Sequence, residues 1–160
     1  MSALPKPRVL VLCTGNSCRS QMGEGWLRHD LGDRIEAHSA GTRPSFVHPL
    51  AIRVMGEAGV DILSHRSKSV EALKGLAFDL VVTVCDSARE VCPILPGARK
   101  TLHQAFEDPA LAGDGEEALP VFRHVRDEIR ARLVPLVAAV VTARARPGEP
   151  SGGTQLDPWD

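Results

Sequence analysis

The chain has 160 residues, a formal net charge of −1 and no tyrosine. This length suits one domain with its own hydrophobic core, and 43% hydrophobic with 24% charged residues is typical of soluble globular proteins. The near-neutral charge argues against generic attraction to nucleic acid or anionic membranes. No apolar run approaches the roughly 20 residues that span a bilayer, and no secretory signal is evident. We expect a cytoplasmic monomer that binds neither nucleic acid nor membrane.

Hydrophobic periodicity predicts strands that alternate with helices along the chain. In order, it predicts a strand at 8–12, a helix at 21–31, a strand at 34–39, a helix at 49–58, strands at 79–85 and 99–102, and a long helix at 119–143. Pro135 is expected to kink the last helix. This order predicts an open, four-stranded parallel α/β sheet flanked by helices. We expect one catalytic domain over 1–146 and a disordered Gly- and Pro-rich tail over 147–160.

The first strand leads directly into Cys13–Ser20, which reads Cys-x5-Arg-Ser, and a helix follows. Strand-to-helix turns are where open α/β sheets bind ligands, and a helix N-terminus offers N–H groups and a positive dipole end to an anion. Gly15 and Asn16 tolerate backbone conformations that turn consecutive amides toward one oxyanion. The residues expected to bind that oxyanion are Thr14, Gly15, Asn16, Ser17, Cys18 and Arg19.

Cys13 is the candidate nucleophile of this anion loop. Arg19 supplies a planar, bidentate donor for two oxyanion oxygens, and in that positive field Cys13 is expected to be a thiolate at neutral pH. Ser20 can donate a hydrogen bond to the same sulfur. The alternative, an ordinary buried thiol at a strand end, is less favoured because a strand precedes Cys13, a helix follows it, and Gly-Asn lies between.

Asp108-Pro109 follows the predicted fourth strand. A thiolate that displaces an oxygen from phosphorus or arsenic needs a proton donor for the leaving oxygen. Parallel strands end at one edge of a sheet, so this loop can reach the anion loop, and Pro109 biases Asp108 away from helix. Asp-Pro alone is more often a plain turn. Its combination with the anion loop favours Asp108 as the general acid.

Cys85 ends the predicted third strand at the same edge, and Cys92-Pro93 follows. Ser87 and Glu90 have the spacing of a capping box, which predicts a short, weakly stable helix between the cysteines. Seven helical residues rise about 10 Å, whereas a disulfide needs Cα atoms within about 7 Å. A Cys85–Cys92 disulfide therefore requires this segment to unwind.

Three thiols at one edge indicate a relay. In it, Cys13 attacks the oxyanion, Cys85 attacks Cys13 to form a transient Cys13–Cys85 disulfide, and Cys92 resolves it as Cys85–Cys92. The alternative is that Cys85 and Cys92 are ordinary buried residues. Zinc binding is less favoured, because the spacing lacks Cys-x2-Cys or a nearby His pair, so no metal is expected.

The sequence resembles the thioredoxin-coupled arsenate reductases, which have the low-molecular-weight tyrosine phosphatase fold, over roughly residues 8–141. Four segments carry the resemblance: Cys13–Met22, Val82–Cys85, Cys92–Pro96 and Asp108-Pro109. It implies reduction of arsenate to arsenite through the Cys13–Cys85 and Cys85–Cys92 disulfides, with thioredoxin as electron donor and no permanently bound cofactor. It also implies that Cys18 has no essential catalytic step. Phosphate and sulfate, which are also tetrahedral oxyanions, are expected to compete with arsenate.

One part of the sequence departs from that family. Several members bind potassium near the loop through residues that match Asn16, Glu24 and Ser39, and through a Thr and an Asp where this chain has Arg66 and Lys68. Two cations at these positions are expected to repel potassium. Our hypothesis is that the Lys68 ammonium replaces the ion and pairs with Glu24. The alternative is that Lys68 is a solvated surface lysine.

Two other functions share part of this evidence. A low-molecular-weight protein tyrosine phosphatase also uses Cys13, Arg19 and Asp108, but its substrate cleft has tyrosines after Asp-Pro, and this chain has none. Weak activity on small aryl phosphates stays open. A non-enzymatic arsenic- or metal-sensing thiol protein lacks support, because no basic DNA-binding element is present. Glutathione and mycothiol stay open as alternative thiol donors.

Overall fold

A four-stranded parallel sheet with the order β2-β1-β3-β4 forms the centre of the computed structural model, which describes residues 6–86 and 97–145, with side chains up to residue 142. The strands are β1 (Arg8–Cys13), β2 (Glu36–Gly41), β3 (Leu80–Thr83) and β4 (Thr101–His103). The helices are α1 (Arg19–Leu31), α2 (Pro49–Glu57) and α3 (Leu119–Ala145), with 3-10 turns at Val70–Leu73, Pro109–Ala112 and Glu116–Ala118. The predicted open parallel α/β fold is confirmed.

β1 is the central strand, which explains its unbroken apolar sequence. It pairs in parallel with β2 on one side, from Arg8 opposite Glu36 to Cys13 opposite Gly41, and with β3 on the other. Residues 9–12 contact hydrophobic neighbours on both faces of the sheet. Apolar and polar residues therefore do not alternate along this strand, and all four residues are apolar. All four strands therefore end at one edge, where Cys13 begins the anion loop.

The core is much larger on one face of the sheet than on the other. On the larger face, Val9 and Val11 pack with buried side chains from all three helices, including Trp26, Met55 and Phe122. On the smaller face, the buried cluster consists of Leu10, Leu12, Ala40, Phe78 and Val81. The helices that flank the anion loop are thus held by the larger hydrophobic cluster.

The observed elements differ from the predicted ones mainly at their ends. β3 ends at Thr83 rather than at residue 85, although the Val84 backbone still bonds the Leu12 carbonyl and the Phe106 amide. α1 begins two residues earlier than predicted, at Arg19. Pro135 lies inside α3 and does not end it. The predicted helix between Cys85 and Cys92 and the predicted tail over 147–160 lie outside the described residues.

The described residues contain neither a membrane-spanning helix nor a cluster of metal-binding side chains. None of the helices there is both long enough and apolar enough to cross a membrane. Across those same residues, no group of three or more His, Cys, Asp or Glu side chains is arranged to hold a metal ion.

Gly41, at the end of β2, lies against the anion loop. A Cβ atom at this position would stand 2.4 Å from the Thr14 carbonyl oxygen and 3.0 Å from the Asn16 nitrogen. Both neighbours are backbone atoms, so they cannot swing aside as a flexible side chain does. The close approach of β2 to the loop therefore requires glycine.

We predict that Gly41→Ala lowers the free energy of unfolding by about 1–3 kcal/mol, because the added methyl group overpacks the loop backbone. Gly56→Ala is the matched control: a Cβ at this position, inside α2, meets nothing within 4 Å. That control is expected to stabilise the protein by about 0.5–1 kcal/mol through helix propensity. Urea denaturation of both variants measures the contrast, and a Gly41→Ala protein as stable as the parent would contradict it.

Candidate active site

The anion loop lies between β1 and α1, and hydrogen bonds from outside turn its carbonyl groups away from its centre. The Thr14 carbonyl accepts from the Arg43 amide at 2.9 Å, and the Ser17 carbonyl accepts from the His48 amide at 3.2 Å. The Gly15 carbonyl accepts from the Ser67 hydroxyl at 3.0 Å. In a planar trans peptide the N–H points opposite to the C=O. The amides that follow these carbonyls therefore point to the other side, where an oxyanion can bind.

Asn16 has a left-handed backbone, with φ = 48°, the one positive φ at a non-glycine residue in the described part of the chain. Its fully buried side chain makes four hydrogen bonds. The Nδ2 group donates to the Ser20 and Ser39 hydroxyls at 2.8 and 3.0 Å. The Oδ1 atom accepts from Gln21 Nε2 at 2.9 Å and from the Lys68 amide at 2.8 Å. These bonds offset the conformational cost of the left-handed residue.

The hydrogen bonds of Asn16 fix which way the Ser20 hydroxyl points. Ser20 Oγ accepts from Asn16 Nδ2, and it lies 2.9 Å from the Cys13 sulfur. Since Asn16 Nδ2 can only donate, the Ser20 proton is left to be donated to Cys13. A hydroxyl that donates to sulfur favours the thiolate over the thiol.

Arg19 and Asp108 come together across the loop. The buried Arg19 guanidinium donates to the Phe106 carbonyl at 3.2 Å, and its Nη2 lies 3.6 Å from Asp108 Oδ2. The other Asp108 oxygen accepts from the Ala110 amide at 3.0 Å and caps the 3-10 turn at Pro109–Ala112. Arg19 is therefore held by the segment that carries Asp108, and the carboxyl group, 29% exposed, faces the guanidinium.

Cys18, the second cysteine of the loop, has a different environment. Its thiol is 4% exposed, and burial raises its pKa to about 12, with the nearby Asp108 carboxylate adding to the shift. A thiol with this pKa is protonated at neutral pH and is a poor nucleophile. Cys18 thus contributes its backbone to the loop.

Cys85 lies close to the level of Cys13 in the sheet. The register pairs Leu12 with Thr83, and the Val84 amide donates to the Leu12 carbonyl at 3.0 Å. Cys85, two residues after the end of β3, is thus one residue beyond the level of Cys13. It is fully buried and disulfide-bonded, whereas Cys13 and Cys18 are free thiols. Cys92 lies outside the described residues.

Glu24, in α1, is a buried carboxylate surrounded by donors. One oxygen accepts from the Ser39 hydroxyl at 2.5 Å and lies 3.8 Å from Lys68 Nζ. The other lies 2.7 Å from the Arg28 guanidinium. Burial lowers the pKa of Lys68, and Glu24 opposes that shift. Because Ser39 also accepts from Asn16, a continuous hydrogen-bonded path joins Glu24 to Cys13.

The residues that match the family's potassium ligands already make other contacts in this protein. Asn16 Oδ1 already accepts two N–H bonds, and both Glu24 oxygens face hydrogen-bond donors or cations. The Lys68 ammonium lies beside the carboxylate that would ligate the ion. The residues present therefore do not fit a bound cation at this position.

Sequence reasoning missed several residues that hold the loop. Gln21 donates to Asn16 and to the Arg66 carbonyl, and its own oxygen lies 3.0 Å from His65 Nδ1, which must carry the proton. Burial lowers the pKa of His65. The segment 42–48, called the outer segment below, also went unrecognised. Its hydrogen bonds to the loop are donated by backbone amides. Because every residue except proline has such an amide, no residue type in the sequence indicates these bonds.

The comparisons with known proteins agree with this geometry. Residues 8–146 match the family model described as low molecular weight phosphotyrosine protein phosphatase. An arsenate reductase of Halalkalibacterium halodurans is 46% identical over 129 residues, which cover 80% of this chain and 93% of that protein.

Solved structures give the same result. A structure described as an arsenate reductase in the phosphate binding state has a TM-score of 0.72 and 32% identity, covering 83% of this chain and 98% of that one. A thioredoxin-dependent arsenate reductase of Corynebacterium glutamicum has a TM-score of 0.63 and 28% identity, covering 89% of this chain and 65% of that one. The chain therefore belongs to the low molecular weight phosphotyrosine protein phosphatase family, and within it to the arsenate reductases.

Proposed function

We propose that this protein is a cytoplasmic arsenate reductase that converts arsenate to arsenite through a three-cysteine disulfide relay recycled by thioredoxin. The observation that carries the proposal is the directed hydrogen bond from Ser20 to Cys13, inside a loop whose Thr14, Gly15 and Ser17 carbonyls are turned outward. Together these features support a thiolate facing a tetrahedral oxyanion.

In the first step, the Cys13 thiolate attacks arsenic, an As–S bond forms, and one arsenate oxygen leaves as water. Arg19 holds two of the remaining oxygens, and Asp108 donates the proton that the leaving oxygen takes up. The 3.6 Å separation of Arg19 and Asp108 supports these roles, since both groups then reach the same oxyanion.

In the second step, the Cys85 thiolate attacks the Cys13 sulfur, and the As–S electron pair passes to arsenic, which leaves as arsenite. The Cys92 thiolate then attacks Cys85, and Cys13 is released as a thiolate. The sheet register and the disulfide-bonded state of Cys85 support its role as the second thiol. The role of Cys92 is supported by the sequence alone.

Thioredoxin closes the cycle by reducing the Cys85–Cys92 disulfide, which returns two electrons and two protons to the enzyme. The thioredoxin-dependent relative of Corynebacterium glutamicum supports this donor. A thioredoxin partner also requires a reducing compartment, which is consistent with the cytoplasm.

Lys68 acts in this scheme as a built-in cation. Its ammonium, 22% exposed, lies 3.8 Å from Glu24, and its backbone amide bonds Asn16. The positive charge stabilises the Glu24 carboxylate, which in turn orients Ser39 and Asn16.

A phosphatase is the second candidate. The anion loop, Arg19 and Asp108 suit a phosphate monoester as well as arsenate, and the matching family model is that of a phosphatase. We expect this activity to be a weak side reaction that needs Cys13 but neither Cys85 nor Cys92.

The relay predicts that Cys13→Ser, Cys85→Ser and Cys92→Ser each abolish repeated turnover, because each removes one sulfur through which the two electrons pass. The measurement is arsenate-dependent NADPH oxidation in the presence of thioredoxin and thioredoxin reductase. Cys18→Ser is the matched control and is expected to complete many turnovers, since the Cys18 thiol has a pKa of about 12.

Hydrolysis of p-nitrophenyl phosphate by the same variants separates the two functions. Only Cys13→Ser is expected to lose it. Normal thioredoxin-coupled turnover by Cys92→Ser would refute Cys92 as the resolving thiol. A wild-type protein that hydrolyses the ester but never oxidises NADPH would leave the phosphatase as the function.

We predict that Ser20→Ala slows the first step about tenfold, because the sulfur loses a hydrogen bond of about 1–1.5 kcal/mol that favours the thiolate. The rate of arsenite formation in a single turnover, with enzyme in excess over arsenate, measures this step. Ser64→Ala, at an exposed position, is the control. Equal single-turnover rates for Ser20→Ala and the parent would show that the hydroxyl does not act on Cys13.

The built-in cation predicts that potassium does not stimulate wild-type activity over sodium at fixed ionic strength. Lys68→Met is expected to raise the KM for arsenate about fivefold, equivalent to about 1 kcal/mol for a partly buried ion pair. Lys74→Met is the matched control, because Lys74 is 82% exposed and pairs with exposed Glu71. Clear stimulation of wild-type activity by potassium would refute the hypothesis that Lys68 replaces the ion.

A further inference from the structure

His48 joins the outer segment to α2, and it contacts the anion loop through its backbone. It is the N-cap residue of α2, with an extended backbone at φ −65° and ψ 131°. Its amide donates to the Ser17 carbonyl at 3.2 Å, and its carbonyl accepts from the Ile52 amide at 3.1 Å. The loop and the first turn of α2 are therefore linked through one residue.

The side chain of His48 caps the helix. Nδ1 accepts a hydrogen bond from the Leu50 amide at 3.1 Å, and this requires Nδ1 to be unprotonated. The ring is consequently a neutral imidazole with its proton on Nε2. Ser, Thr, Asp and Asn are the residues that usually cap a helix in this way. A histidine is therefore unusual at this N-cap position.

Two aromatic rings hold the imidazole in place. Phe122, fully buried in α3, lies 4.9 Å from it between ring centroids, and the exposed Phe46 stacks on it at 6.0 Å. His48 itself is 6% exposed. Burial lowers its pKa, and the Asp114 and Asp108 carboxylates oppose that shift. The ring therefore stays neutral at neutral pH and keeps its capping bond.

We propose that His48 is a positioning residue for oxyanion binding: its imidazole fixes the start of α2, and its amide thereby keeps the Ser17 carbonyl turned out of the anion loop. If the cap is lost, the first turn of α2 and the His48 amide shift, and the Ser17–Cys18 peptide is no longer held with its N–H toward the anion. The inference rests on the proposed function only in that the ligand is a tetrahedral oxyanion.

Two substitutions separate capping from ring packing. His48→Asn keeps an oxygen that can accept from the Leu50 amide but removes the ring. His48→Phe keeps a ring between Phe46 and Phe122 but has no acceptor. Loss of an N-cap corresponds to about a fivefold change in an equilibrium constant. His124→Phe is the matched control, because that histidine is 65% exposed on α3, away from the loop.

The first measurement is the Kd of inorganic phosphate for the reduced protein by calorimetry. We expect His48→Phe to raise it about fivefold, and His48→Asn and His124→Phe to stay within about twofold of the parent. In the thioredoxin-coupled assay, His48→Phe is expected to raise the KM for arsenate by the same factor with kcat within about twofold, because a positioning residue acts on binding.

Two outcomes would overturn the proposal. In one, His48→Asn weakens phosphate binding as much as His48→Phe, which would assign the effect to ring packing. In the other, His48→Phe binds phosphate like the parent. Phosphate binding does not depend on arsenate reduction. A wild type that binds phosphate but does not reduce arsenate would therefore refute the proposed function while the role of His48 is still measured.

Discussion

The side-chain amide of Asn16 is the contact on which the rest of the site depends. Its four hydrogen bonds stabilise the left-handed backbone conformation of Asn16 itself within the loop. Through Ser20 it directs a proton toward the Cys13 sulfur. Through Ser39 it is joined to the buried Glu24 carboxylate. A hydroxyl in place of this amide has too few donors and acceptors for these tasks.

Local charge, rather than the charge of the whole chain, makes the site suitable for an anion. The net charge is −1, yet the Arg19 guanidinium is buried at the loop. Lys68 and Arg28 both lie beside the Glu24 carboxylate. The two cysteines of the loop have different local environments. Cys13 accepts a hydrogen bond, whereas burial and the Asp108 carboxylate keep Cys18 protonated. This difference supports the proposed role of Cys13 as the nucleophile.

The parallel sheet explains how residues far apart in sequence reach one site. β1, β3 and β4 end at the same edge, so Cys13, Cys85 and the Asp108 loop follow one another around it. The outer segment then closes over the loop through backbone amides, with Gly41 allowing β2 to approach. This arrangement brings Cys85 to within one residue of the level of Cys13 at that edge.

The sequence by itself determined the fold class and the place of the Cys-x5-Arg-Ser loop between β1 and α1, because strand and helix periodicities and this spacing are local patterns. It misjudged the end of β3, because the buried apolar run continues through Val84 and Cys85, past the last paired residue, Thr83. Only the tertiary structure decided that His48 caps α2 against the loop and that Gly41 must lack a side chain. For Lys68 the sequence left two alternatives, and the structure places its ammonium beside Glu24. The contacts of Gly41 and His48 with the loop join residues about 25 to 30 positions apart and involve backbone groups of the loop, so no periodicity or motif indicates them.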